Sequence, residues 1–259
     1  MPAPDLALIA AAARASGQIA MRFFRAAPRV WDKGGGHGPV TEADLAVNAY
    51  LKEHLRAARP DYGWLSEETP DDAARLSCTR VFIVDPIDGT RAFISGETNF
   101  AISIAVAEAG RIIAGAVYLP AKDRLYTGGA GLGAQRDGVP VQTSARATLA
   151  GAHVLATKAN MAPEYWPNGV PDLQRSFRTS LAYRLCLAAE GRYDGMLTFR
   201  PSWGWDIAAG SVICAEAGGV VTDRHGAPLR FNSPAAQTDG VVAVAPGLHP
   251  QILARLGRG

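Results

Sequence analysis

Apolar positions in the first 25 residues recur every three to four places. Leu6, Ile9, Ala13, Ile19 and Phe23 share a face, which predicts an amphipathic helix over about residues 5–25. The same period returns at Val47, Leu51 and Leu55, in a second helix opened by Thr41-Glu42-Ala43-Asp44, whose Thr-x-x-Asp pattern has the form of a capping box. Between them, Lys33-Gly-Gly-Gly-His37-Gly38-Pro39 has too much glycine for a regular element and reads as a loop: a plain linker, or a lid carrying Lys33 or His37 towards a site. Trp64-Leu65-Ser66 reads as a short strand. The run Val81-Phe-Ile-Val84, apolar and mostly β-branched, predicts a buried strand that Asp85-Pro86 ends. Asp88-Gly89-Thr90 is turn chemistry, and residues 90–94 can start a helix. Phe100–Ala107 and Arg111–Leu119 form a predicted hairpin, the strand at Leu125–Thr127 extends it, and Arg136–Val141 is a second hairpin. From about residue 142, short strands (Val154-Leu155, Met196–Thr198, Val220–Thr222, Val241–Ala245) alternate with helices. One helix runs from Leu181 to Gly191, and another from Asp206 to the Gly218-Gly219 stop. The pattern implies two halves: residues 1–141, α+β around an antiparallel meander, and residues 142–259, α/β.

Composition narrows the function classes. The chain has 259 residues, 48% hydrophobic and 19% charged, enough for a substantial core. A net charge of +2 without a basic face argues against nucleic acid. Cys78, Cys186 and Cys214 are odd in number and far apart, so neither a disulfide framework nor a zinc site is expected, and a reducing compartment fits better. The apolar run Leu6–Ala13 lacks the basic flank of a signal peptide, and no stretch is long enough to span a bilayer. The expectation is a cytoplasmic protein. Gly129, Gly131 and Ala134 match a dinucleotide fingerprint only formally, because a hairpin follows rather than a helix.

Carboxylates carry the candidate chemistry. Glu67, Asp85, Asp88 and Asp206 each fall where an element starts or stops. Each has an ordinary reading: a solvated loop for Glu67-Glu68, an Asx-turn pair for Asp85 and Asp88, and an N-cap for Asp206. Asp44 needs no role beyond its capping box. If the four converge, however, each pair of charges about 4 Å apart costs about 4 kcal/mol in a surface-like dielectric. Divalent cations would offset that repulsion. Hard oxygen ligands, with no His or Cys at ligand spacing, select Mg2+ or Mn2+ over zinc.

Taken together, Glu67-Glu68, Asp85-Pro-Ile-Asp88-Gly-Thr90 and Trp205-Asp206-Ile-Ala-Ala-Gly210 resemble the inositol monophosphatase family, and Val40–Asp44 and Glu216–Gly219 extend the likeness over nearly the whole chain. The resemblance implies a layered α-β-α-β-α sandwich and a lithium-sensitive, magnesium-dependent phosphomonoesterase that binds two or three ions. It assigns Glu67, Asp85 and the Ile87 carbonyl to one metal, and Asp85, Asp88 and Asp206 to a second, with Glu67 helping hold a weaker third. It gives Gly89 and Thr90 amides to the phosphate, has Asp44 and Thr90 align the attacking water, and makes Lys33 a mobile-loop residue.

Substrate expectations rest on fewer residues. Seven positions before Asp206, where inositol monophosphatases carry a glutamate for ring hydroxyls, stands Phe199. Thr90-Arg91-Ala-Phe-Ile94 resembles instead the 3'(2'),5'-bisphosphate nucleotidase branch. Arg184 and Arg200 are candidates for a second phosphate, and Phe199 or Trp203 for packing on an adenine. The expected partner is a small phosphorylated metabolite or nucleotide, 3'-phosphoadenosine 5'-phosphate above others, bound by a monomer or homodimer. The alternatives are an inositol, histidinol or sugar phosphatase, or a metal-binding regulatory protein of the same fold.

Overall fold

The computed structural model of the chain describes residues 2–34 and 38–256. Helix α1 (Pro2–Phe23) buries Ile9, Ala12, Ala13 and Ala20. Strands β1 (Val30–Asp32) and β2 (Pro39–Thr41) pair antiparallel at either side of the glycine-rich loop, a hairpin the sequence reading did not foresee. His37, the second lid candidate, lies outside the described residues. Helix α2 (Glu42–Ala58) starts from Thr41 through the expected capping box, and buries Val47, Leu51 and Leu55.

Seven strands then form one sheet in chain order: β3 (Gly63–Ser66), β4 (Arg80–Asp88), β5 (Ala101–Glu108), β6 (Arg111–Leu119), β7 (Arg124–Gly129), β8 (Gly133–Arg136) and β9 (Val139–Pro140). Only β3 is parallel to its neighbour; the rest form the predicted meander. Short helix α3 (Thr90–Ile94) leaves the end of β4. The later residues supply β10 (Ala152–Leu155), β11 (Leu173–Ser176), α4 (Leu181–Ala189), β12 (Gly195–Trp203), α5 (Gly204–Glu216), β13 (Val220–Thr222), β14 (Gln237–Val244) and α6 (His249–Leu256). Their five strands run in the order β11-β10-β12-β14-β13. Strand β11 and helix α6 went unpredicted. The first is a polar four-residue strand, and the second is short, with Pro250 in its first turn.

The layers follow from alternation along the strands. Phe82 and Val84 face α1 and α2, whereas Val81 and Ile83 face α4 and α5. Helices α4 and α5 also pack on Met196, Val241 and Ala243 of the second sheet, so they fill the middle layer. Helix α6 covers that sheet's outer face through Ile252, with Leu248 just before it in the same core. The result is the expected α-β-α-β-α sandwich. Gly115 and Gly128 let α5 lie directly on the first sheet: a Cβ at Gly115 would stand 2.7 Å from the Ala209 carbonyl, and one at Gly128 2.8 Å from the Ile213 Cα. Among the described residues, no helix is long and apolar enough to cross a membrane.

Candidate active site

The spacing of Asp85 and Asp88 presents a geometric puzzle, because residues three apart on a regular strand point to opposite faces. The register of β4 on β5 resolves it. Asp85 pairs with Ser103 and Asp88 with Ala101, so three steps on β4 match two on β5. That one-residue bulge flips the phase and returns Asp88 to the face of Asp85, towards α5. Pro86 therefore does not end the strand, as the sequence reading held; it sits inside the bulge, where no ladder N–H is required. The Asp85 side chain also accepts the Ile87 N–H at 3.0 Å, so the Asx-turn reading holds as well.

Gly89 follows with φ +100°, a conformation that glycine adopts without strain, and a Cβ there would lie 3.2 Å from the Asn99 carbonyl. The turn places the Thr90 hydroxyl 3.1 Å from the Ile87 carbonyl and 3.3 Å from Asp44 Oδ1. Asp44 Oδ2 accepts from the Thr41 N–H at 2.9 Å. Its capping role and its contact with Thr90 thus use different oxygens.

Asp206 arrives from the other side. Helix α5 begins at Gly204 with Trp203 at its N-cap, so Asp206 is the third helical residue rather than the cap. Its carboxylate meets Asp85 and Asp88 in a cluster whose ligand atoms lie within 4.8 Å of one another. Burial, then Glu67, Asp88 and Asp206, pushes the Asp85 carboxyl well above the usual range. Burial, then Asp88 and Glu67, does the same to Asp206. Asp44 is raised to about 6 by burial, against the opposing Thr41 hydrogen bonds. Three crowded carboxylates without a histidine or cysteine form a hard-oxygen donor set that fits a divalent cation such as Mg2+ or Mn2+.

Lys33 reaches this region from the end of β1. Its Nζ is 2.8 Å from Glu67 Oε1 and also contacts Glu68. Burial would lower the Lys33 pKa, but the two glutamates outweigh it and raise it. Glu67 interacts electrostatically with Asp85 and Asp206, while its Oε1 is engaged by Lys33. Glu68, which the sequence reading left without a role, is the second partner of Lys33.

A cleft of about 1060 Å³ opens over these groups, with Gly89, Thr90 and Arg91 on one wall and Arg200, Trp203 and Trp205 on another. The two tryptophan rings stack with centroids 4.7 Å apart. Phe199 corrects an expectation. It is 1% exposed, packs its ring on Tyr165 and Trp166 beneath the second sheet, and does not line the cleft. Strand alternation is the reason: Phe199 is two residues beyond Leu197 and shares its core, while Arg200, inside a bulge between Thr198 and Pro201, joins the cleft lining. Arg184 is also 95% buried, with its Nε bonded to the Arg178 carbonyl and its guanidinium over the Phe177 ring. Burial lowers it to about 10. Phe177 and Thr179, which carried no sequence signal, do line the cleft.

The sequence profile of the inositol monophosphatase family matches residues 3–258. The chain belongs to the inositol monophosphatase family. It is accordingly a phosphatase of a metal-dependent family. It is 33% identical to inositol monophosphatase 1 of Solanum lycopersicum over 233 residues, covering 86% of this chain and 85% of that one. It is 32% identical to the 3'(2'),5'-bisphosphate nucleotidase CysQ of Escherichia coli over 198 residues, covering 75% and 80%. The crystal structure of the extragenic suppressor protein SuhB from Bartonella henselae superposes with a TM-score of 0.85 at 28% identity, covering 99% of both chains. Members with such different names share one fold, so family membership leaves the choice of phosphate ester to the cleft.

Proposed function

We propose that this phosphatase is magnesium-dependent and hydrolyses a 3'(2'),5'-bisphosphate nucleotide, converting 3'-phosphoadenosine 5'-phosphate to AMP. The observation that carries the choice of substrate is the second wall of the cleft. There Arg200, without an ion-pair partner among the described residues, stands beside the Trp203–Trp205 stack. A guanidinium can grip the phosphate that is not cleaved, and an indole face can receive a purine. Arg184 adds positive charge from behind that wall but is too enclosed to be a first contact.

Asp85, Asp88 and Asp206 would hold Mg2+, with the Ile87 carbonyl and Glu67 as further oxygen ligands. Bound Mg2+ supplies charge neutralisation and lowers the pKa of a coordinated water. The Gly89 and Thr90 amides would bind the scissile phosphate. The Thr90 hydroxyl orients the attacking water and passes a proton to Asp44 Oδ1, a carboxylate whose pKa of about 6 suits a base near neutral pH. The water oxygen bonds to phosphorus as the ester P–O bond breaks; the leaving ribose oxygen takes a proton from solvent, and Asp44 returns the water's proton to solvent after release.

Inositol 1-phosphate hydrolysis is the second reading, favoured by the similarity to the tomato enzyme. Side-by-side kcat/KM values with Mg2+ decide between them. The bisphosphate nucleotide should be the better substrate, and faster turnover of inositol 1-phosphate would overturn the proposal.

A further inference from the structure

Asp88 belongs to the first half of the chain but is gripped by the second. Ser180, fully buried at the N-cap of α4, donates its hydroxyl to Asp88 Oδ2 at 2.5 Å. The Ala182 N–H donates to the same oxygen at 2.7 Å. Ser180 Oγ in turn accepts the Tyr183 N–H at 3.0 Å. An amide can only donate, so this contact orients the single hydroxyl proton towards Asp88. Two donors converge on Oδ2, and the Leu181 backbone adds a further hydrogen bond to the Asp88 carboxylate, which also joins Asp85 and Asp206 in the acidic cluster.

Neighbouring hydroxyls make the same kind of tie. The Thr179 hydroxyl donates to the Asn99 carbonyl at 2.7 Å, and the Ser103 hydroxyl to the Trp205 carbonyl at 3.1 Å. The two halves are therefore pinned together on both sides of the carboxylate cluster.

We propose that Ser180 is a positioning residue for the metal site: its hydroxyl fixes the Asp88 carboxylate and couples cation affinity to the seating of α4 on the first sheet. The inference rests on the reading of Asp88 as a metal ligand. A helix cap alone would also explain a buried serine here, and the two roles separate by substitution. Glycine caps a helix nearly as well as serine, within a few tenths of a kcal/mol, but has no hydroxyl; alanine lacks both properties.

The test measures Mg2+ binding to the substrate-free protein by calorimetry. Removing a group that orients a metal ligand typically weakens affinity about 10- to 100-fold. Ser180→Gly and Ser180→Ala should both weaken Mg2+ binding by that factor, while Ser180→Thr stays within about threefold of wild type. For any variant too unstable for calorimetry, the Mg2+-induced rise in its urea midpoint reports the same affinity by linkage. Wild-type Mg2+ affinity in Ser180→Gly, with weakening only in Ser180→Ala, would assign the residue to capping and overturn the proposal. Asp88→Asn separates the two levels. If it binds Mg2+ like wild type, the ligand reading of Asp88 fails; if it loses Mg2+ while Ser180→Gly does not, only the Ser180 inference fails.

Discussion

The two bulged strands that reach the cleft use one device to opposite ends. In β4 the extra residue brings a second carboxylate onto the face of the first, so Asp85 and Asp88 meet Asp206 in one acidic cluster. In β12 alternation with Leu197 commits Phe199 to the core beneath the second sheet, and Arg200, inside the bulge, takes a place on the cleft wall. One bulge concentrates negative charge where a cation would sit; the other carries a positive charge on the facing wall, within electrostatic reach of Asp206. The comparison separates the chemistry common to the family from the choice of substrate, and each side can be broken independently.

The largest effect belongs to β4. Asp85→Asn removes the carboxylate central to the cluster, and phosphate release with saturating Mg2+ should fall about a hundred- to a thousandfold, the scale of losing a main electrostatic contributor. Retention of more than a tenth of wild-type turnover would mean that the cluster is not the catalytic centre. On β12, Phe199→Ala should cost about 3–5 kcal/mol of stability, as for other buried aromatic truncations, and leave the ratio of nucleotide to inositol phosphate turnover unchanged. Urea unfolding and the two-substrate ratio measure these separately. A changed ratio at unchanged stability would return Phe199 to the pocket.

These two residues also mark what could be read from the chain before its fold was known. The acids of β4 were within reach because strand end, turn and helix start fall inside ten consecutive residues, and turn chemistry is local. Asp206 was placed at the right helix end but two residues off its register, since the α5 cap has no capping side chain. Phe199 was misplaced because its position was taken from the family's spacing to Asp206, without regard to which face of β12 it occupies. A signal was available: Leu197 and Phe199 are two apart and share one core, while Met196 belongs to the other. The contacts of Lys33 with Glu68 and of Ser180 with Asp88 span 35 and 92 positions, and no local pattern encodes them.

Arg200→Ala sharpens the comparison at intermediate size. A charge-assisted hydrogen bond contributes about 1.5–3 kcal/mol. The kcat/KM for the bisphosphate nucleotide should therefore drop about 10- to 100-fold, and that for inositol 1-phosphate by less than about threefold. Equal losses on both substrates would assign Arg200 to general electrostatics and remove the substrate argument from the second bulge.

The smallest expected effect concerns the charge that the β4 turn gathers when no cation is present. Burial raises Asp44 to about 6, against about 4 for an exposed carboxyl, so the folded state favours its protonated form. Stability from this source is complete below about pH 4 and is lost as pH rises through about 6, the reverse of a salt-bridged carboxylate. In EDTA, wild type should lose about 2 kcal/mol relative to Asp44→Asn between pH 4 and pH 7, since asparagine does not ionise. Mg2+ binds deprotonated ligands, so the stabilisation it gives wild type should grow over the same interval. Thermal melts of both proteins, with and without Mg2+, supply all four curves. A gap between wild type and Asp44→Asn that stays constant from pH 4 to pH 7 would show that Asp44 titrates like an exposed acid. The basic role given to it through Thr90 would then lose its physical support.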